Sequence, residues 1–256
     1  DQAAHERYRS ASLPIPAVLE IGRYDRATSY ALSERAVGYR FDAFSAGAQA
    51  RLVPSLVSAL LALQAAPVPH RERYGYWSAD AEPAFTRWSD YLQDSTLPFA
   101  PRGRDRAEAL LIQGWMERFR ACCEHTPDLP HLVHGDFRFA NLLASPEGIT
   151  ALLDWEESMV GDPLYDVAWL VFWHGEGPLL SRYRATPQGA AMMRDRFEER
   201  MQCYLLRTGL RALHFFHHTG RRRAYDWTLA RLGETAAWSE PSDARAHAFR
   251  TPDLTA

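Results

Sequence analysis

Residues 134–156 read HGDFRFANLLASPEGITALLDWE, and the order of residue types in this stretch decides the fold class. A short apolar strand, Leu132 and Val133, runs into a polar loop, HGDFRFAN, and two apolar runs follow. Those runs, 142–144 and 149–153, flank Ser145-Pro146-Glu147-Gly148, whose residue types favour a turn. A loop leading into a β-hairpin is therefore expected. His134, Asp136 and Asn141 fall on the loop. Asp154 closes the second strand, where its carboxylate can face back toward them.

Moving a phosphoryl group asks a protein for little beyond positioning and charge. A carboxylate must orient the attacking hydroxyl and accept its proton, and oxygen ligands must hold Mg²⁺ on the nucleotide phosphates. The protein-kinase pattern H-R-D-x-x-x-x-N supplies the first carboxylate and one metal ligand, and a later aspartate supplies the other. Asp136 and Asn141 stand at that separation, and Asp154 follows at the end of the hairpin. A lone loop aspartate is more often a cap for its own backbone. The three positions together carry the expectation.

Outward from this segment, the front of the chain is strand-like and the rest helical. Residues 1–11 suit a helix that Leu13-Pro14-Ile15-Pro16 ends, because each proline disfavours helix before it. Two strand-like runs, 17–24 and 28–33, are separated by the polar turn Asp25-Arg26-Ala27. Leu52, Val53, Leu56, Val57, Leu60 and Leu61 then recur at three- and four-residue spacing and mark one buried helix face. A loop over 67–81, helices around 83–93 and 104–123, and two or three helices over 183–238 complete the pattern. In the 104–123 helix, Leu111, Trp115, Phe119 and Cys122 form an apolar stripe. Asp162 before Pro163 fits a helix start. Strands segregated from helices make an α+β fold.

Composition narrows the functional classes. With 46% apolar and 24% charged residues the chain is globular, and a net charge of −3 gives no reason to expect a nucleic-acid or membrane partner. Three cysteines, Cys122, Cys123 and Cys203, are too few and too oddly spaced for a disulfide framework, which suits a cytoplasmic setting. No lysine occurs, so all 29 basic residues are arginine and no chemistry here can depend on a lysine.

HGDFRFANLL, LLDWE and GDPLYDVAW resemble the three signatures of the aminoglycoside and choline kinase-like phosphotransferases. ERYRSASLPIPAVLEIG, RAVG, HLVHGDF, GITALLDWEESMVGD, VFW and YLLRTGL resemble, in matching order, segments of the hygromycin B-directed branch of that family, over about residues 1–231. The resemblance implies a two-lobed, protein kinase-like fold. Residues 1–38 would be a remnant of the nucleotide-binding lobe and its hinge, 39–238 a mostly helical lobe for catalysis and acceptor binding, and 239–256 a tail. It makes Asp136 the catalytic base, Asn141 and Asp154 the Mg²⁺ ligands, and His134 and Asp162 supports, with Asp162 bracing the catalytic loop. Ser33, Glu34, Arg35 and Ala36 would form the hinge beside adenine. Glu6 would be the helix glutamate that pairs with a nucleotide-binding lysine.

In the family's order the first strands, the phosphate-covering loop and that lysine all precede Glu6. A sequence cut short at its start, with an incomplete N-terminal lobe, is therefore expected; loss of part of the ATP clamp is the alternative. The implied reaction transfers the γ-phosphate of ATP to a hydroxyl of a small polar acceptor, first an aminoglycoside of the hygromycin B type. Glu156 and Glu157 would then offer carboxylates to its amines, with solvated surface as their other reading. Another antibiotic, choline or a sugar could take the acceptor's place, and an inactive ligand-binding remnant is the rival from outside the enzymes.

Overall fold

The computed structural model describes residues 1–68, 71–96 and 103–236; the expected tail over 239–256 lies outside them. The front carries helix α1 (Gln2–Tyr8) and an antiparallel pair, β1 (Val18–Arg23) and β2 (Ser29–Ser33). Asp25 makes the turn between the strands, its Oδ1 accepting from the N–H of Ala27 at 2.8 Å and of Thr28 at 2.7 Å. Almost every residue of the two strands is solvent-exposed.

A connector then leads to β3 (Tyr39–Arg40), which pairs with the first strand of the expected hairpin, β6 (Leu142–Ser145), itself paired with β7 (Gly148–Leu152). Gly38 makes this entry possible. Its φ is +124°, and a Cβ there would lie 2.6 Å from the Ala144 carbonyl oxygen, so only glycine passes.

Helix α2 (Ala46–Ala65) starts on Ser45, whose hydroxyl accepts from Ala48 N–H. Its face of Leu52, Val53, Leu56, Val57, Leu60 and Leu63 enters the core against β5 (His131–Val133), β7 and α6 (Gly177–Arg184). It is also the one described helix long and apolar enough to cross a membrane by length and composition. Three strands fell where no strand was expected: β3, β4 (Gly75–Tyr76), inside the 67–81 loop, and β8 (Met159–Gly161). β4 and the expected β5 both pair with β8, giving the order β4-β8-β5. Runs of two or three residues are too short to show alternation in sequence.

The body is α3 (Trp88–Asp94), α4 (Arg106–Cys123), α5 (Leu164–His174), α6, α7 (Pro187–Met192), α8 (Phe197–His218) and α9 (Arg222–Ala236). In α4 the buried stripe is Ile112, Trp115, Met116, Phe119, Cys122 and Cys123, while Leu111, expected inside, is exposed. Trp115, Phe119 and Cys122 are buried as expected and Ile112 stands in for Leu111, on the face that meets α8, which packs on α4, α5 and α9. Helices α5 and α8 form the floor on which the catalytic loop rests.

Candidate active site

The loop between β5 and β6 is held by a residue that sequence reasoning passed over. Asp166, in the first turn of α5, accepts from His134 N–H at 2.8 Å on one oxygen and from Gly135 N–H at 3.0 Å on the other. Burial pushes its pKa up to about 7, against the pull of those two donors. The His134 ring is sealed inside, and burial lowers its pKa to about 4, so it is a neutral imidazole with one donor and one acceptor. Its Nε2–H donates to the Leu153 carbonyl at 3.0 Å, and its Nδ1 accepts from Asp136 N–H at 3.4 Å. His134 thereby ties the loop to the end of β7, as support was expected to do. Gly135, at φ +84°, lets the loop pass beneath Glu157, whose carbonyl oxygen would lie 2.1 Å from a Cβ.

The three residues singled out for chemistry converge. Asn141 donates its amide N–H to Asp136 Oδ2 at 2.8 Å and to the Asp136 carbonyl at 3.0 Å. Leu153 N–H donates to the Asn141 carbonyl at 2.9 Å, which brings Asp154, the next residue, beside the loop. Asp154 has φ +64°, a left-handed conformation that aspartate tolerates better than most residues. The Asp136 carboxyl is pushed up to about 6, first by burial and also by the nearby Asp154 charge, while Arg138 and Asn141 favour its ionised form. Arg138 Nη2 reaches Asp136 Oδ2 at 3.0 Å. The Trp169 indole N–H lies close enough to favour the Asp136 charge but closes no hydrogen bond, and it is buried without a partner.

Among the described residues neither Asn141 Oδ1 nor the Asp154 carboxylate accepts a hydrogen bond or ion pair. These are hard oxygen donors on the loop and at the end of the adjoining hairpin, close to the Asp136 carboxyl. That donor set fits Mg²⁺, which characteristically takes one or two protein ligands and completes its shell with phosphates and water.

Other expected residues go elsewhere. Asp162 does not brace the catalytic loop. It caps Leu164 N–H at 3.0 Å, receives both Arg200 Nε (2.8 Å) and Nη2 (2.7 Å), and accepts from Tyr204 OH at 2.6 Å. It joins α5 to α8, and Asp166 does the bracing. Both aspartates of GDPLYD precede or enter the same helix, and sequence alone could not say which one turns to the loop. Glu6 is exposed, accepting only from Gln2 at 2.9 Å within α1 among the described contacts. Asp1, however, accepts from Trp155 N–H at 2.8 Å and so docks α1 beside the Asp154 segment.

At the expected hinge, Ser33 ends β2 and Glu34 binds Arg9 (3.1 Å) and Ala17 N–H (3.3 Å), while Arg35 and Ala36 run on toward β3. Glu156 is exposed. Glu157 accepts from Tyr76 OH and lies 3.5 Å from Arg211. Arg138 and Trp169 lie inside the HGDFRFANLL and GDPLYDVAW motifs and could have been found there; Arg211 carried no signal because α8 is remote in sequence.

A small strand-built front joined by a short connector to a helical body, with an Asp–Asn–Asp cluster on a loop and hairpin, is the protein kinase-like phosphotransferase fold. The family model described as "Phosphotransferase enzyme family" matches residues 3–201, and the chain belongs to that family. It is 29% identical over 226 residues to hygromycin-B 4-O-kinase of Escherichia coli, covering 84% of this chain and 63% of that protein's length. It superimposes on a thermostable mutant of aminoglycoside phosphotransferase APH(4)-Ia, solved as a ternary complex with AMP-PNP and hygromycin B. That match has a TM-score of 0.79 and 25% identity, and covers 92% of this chain and 80% of the other. A 40-residue stretch is 58% identical to acyl-CoA dehydrogenase family member 10 of Mus musculus, covering 15% of this chain and 4% of that protein.

Proposed function

We propose that the chain is the catalytic part of an ATP-dependent phosphotransferase that acts on a hydroxyl of a small polar acceptor. The observation that carries the reading is the convergence of Asp136, Asn141 and Asp154, with the last two presenting unbonded oxygens. In the proposed reaction the acceptor hydroxyl gives its proton to the Asp136 carboxylate as its oxygen bonds the γ-phosphorus and the bond to the ADP oxygen breaks. A base with a pKa near 6 is suited to this at neutral pH: ionised, yet basic enough to hold a proton. Asn141 and Asp154 would hold Mg²⁺, which supplies charge neutralisation of the phosphates when bound. Asn141 also orients Asp136, and Asp166 and His134 hold the loop backbone in place. The Asp136 carboxyl is largely shielded yet keeps 13% exposure, so an acceptor hydroxyl can reach it.

The E. coli hygromycin-B 4-O-kinase and the hygromycin B complex of APH(4)-Ia make an aminoglycoside of that type the first acceptor to try. The short, strong likeness to an acyl-CoA dehydrogenase family member supports keeping acceptors outside the antibiotics in the panel. Asp154→Ala tests the core of the proposal. It should weaken Mg²⁺-AMP-PNP binding as well as transfer, because a metal ligand contributes before and during the reaction. Calorimetric titration of Mg²⁺-AMP-PNP into the variant decides; an unchanged Kd sinks the assignment. A protein that binds nucleotide yet transfers phosphate to nothing on a broad panel would be a ligand-binding remnant.

A further inference from the structure

The acceptor side of the cleft can be located from Asp136 outward. Trp169 stands against Asp136, and the Tyr165 ring lies 5.9 Å from it on the same helix. Tyr165 in turn feels the charges of Arg207, Arg211 and Glu157. Glu157 reaches the same place from the other direction, since its backbone packs directly on Gly135, next to the catalytic aspartate. Tyr76, on β4, completes the group, with its ring edge-on to Tyr91 at 5.5 Å. Here three elements far apart in sequence build one wall beside Asp136.

The charge of that wall is not what a polycation needs. Glu157 Oε2 already accepts from Tyr76 OH and lies 3.5 Å from Arg211 Nη1, which also approaches Tyr76 OH at 3.4 Å. The glutamate and arginine side chains keep 38% and 28% exposure, so the pair reaches solvent and is not sealed inside. Arg207, fully buried behind it, donates to Tyr165 OH and has no carboxylate partner among the described residues. Arg138 adds a third guanidinium on the Asp136 side. Glu156 is the carboxylate left exposed, with no partner among the described residues. An ammonium arriving at Glu157 must displace or repel a guanidinium fixed on a long helix, and specificity is often set by such a repulsive group.

We infer that Arg211 is a specificity-determining residue and that the acceptor turns hydroxyls, not several ammonium groups, toward the Tyr76–Glu157–Arg211 wall: a neutral or lightly charged polyhydroxylated compound such as a sugar or cyclitol. Hydroxyls suit this wall because each can donate to the carboxylate and accept from the guanidinium at once. Tyr76, 40% exposed, offers the apolar side of a sugar ring an aromatic surface alongside. The inference rests on the proposed kinase reading, in that it takes the cleft beside Asp136 as the acceptor site.

The test uses binding and does not depend on turnover. Kanamycin, a polycation, and its fully N-acetylated, uncharged derivative are titrated into the protein and into Arg211→Gln and Arg211→Lys. Arg211→Gln should bind kanamycin about tenfold more tightly by freeing Glu157, a change in Kd equal to about 1.4 kcal/mol. It should bind the acetylated derivative no better, and Arg211→Lys, which keeps the charge, should match the parent. Equal kanamycin affinity in the parent and Arg211→Gln, or no measurable binding to Arg211→Gln, overturns the inference, as does an equal gain for both ligands. Mg²⁺-AMP-PNP titration of the same samples reports on the kinase reading separately, so failure of one is distinguishable from failure of the other.

Discussion

Two antiparallel hairpins of similar length behave as opposites in this molecule. In β6–β7, Leu142, Ala144, Ala151 and Leu152 are buried, and the pair is clamped by β3 on one side and α2 on the other. In β1–β2, Leu19, Ile21 and Leu32 are 64%, 59% and 54% exposed, with no third strand paired to them among the described residues. Both have their ladder hydrogen bonds and both have a side chain or residue type that makes the turn. Pairing two strands does not by itself decide stability; what packs on their faces does. Asp136, Asn141 and Asp154, the residues proposed for chemistry, flank the hairpin whose position is over-determined, where a misplacement of one relative to another would be costly.

Asp136→Asn should have the largest effect of any change at the clamped hairpin, and it should be chemical. Transfer should fall by about 10²–10⁴-fold, the usual weight of a general base. The melting temperature should stay close to that of the parent, because Asn can keep an acceptor toward Asn141. A turnover assay with paired thermal melts checks this; retained activity would break the assignment of the loop as catalytic.

Asp162→Ala probes what holds the floor beneath that hairpin. The Arg200–Asp162 pair is almost wholly buried, at 1% and 0% exposure, with bidentate geometry. Breaking a buried pair leaves an uncompensated charge and costs about 3–5 kcal/mol. Denaturant unfolding should show that loss, while the His134 and Gly135 amides, held by Asp166, should keep their protection from exchange in the native state.

The pH dependence of stability offers a smaller and more selective test. Asp136 and Asp166 both hold folded pKa values, about 6 and about 7, above the ordinary 3.8. The folded state therefore binds protons more tightly than the unfolded state. Their linkage term is most favourable below pH 4 and declines as pH rises through 7. Melting measured without divalent cations should show this decline, and Asp136→Asn should flatten its lower part. A decline with the same slope in the variant would mean that Asp136 is not the buried acid its surroundings imply.

The smallest effect belongs at the front. Ile21→Thr, on an exposed strand, should change the unfolding free energy by less than about 0.5 kcal/mol. A loss of several times that would show that Ile21 is covered in solution and that the contrast between the hairpins is narrower than their exposures suggest.

Much of the site was legible because its signal is local. Asp136 and Asn141 are five residues apart, the hairpin has apolar runs around a turn, and Asp154 ends a strand, so chain geometry alone puts the three together. The front hairpin was legible for the same reason, through Asp25 and the strand-like runs beside it. β4 and β8 were not, since two- and three-residue strands exist only because each finds the other across more than eighty residues. In α4, Trp115, Phe119 and Cys122 were legible, but Leu111 was taken for its buried neighbour Ile112, because helical periodicity names a face without naming the neighbour it turns to.

The sequence by itself determined the order of Asp136, Asn141 and Asp154 and their nearness, since the loop and hairpin need only short-range geometry to form. Tertiary structure decided which aspartate of GDPLYD supports them: Asp166 faces the loop donors, while Asp162 faces Arg200. It also decided what an acceptor meets. Glu157 read as a free carboxylate until α8 brought Arg211 beside it, fifty-four residues downstream. Charge pairing over that distance depends on how helices pack, and packing is a property of the whole core that no local pattern contains.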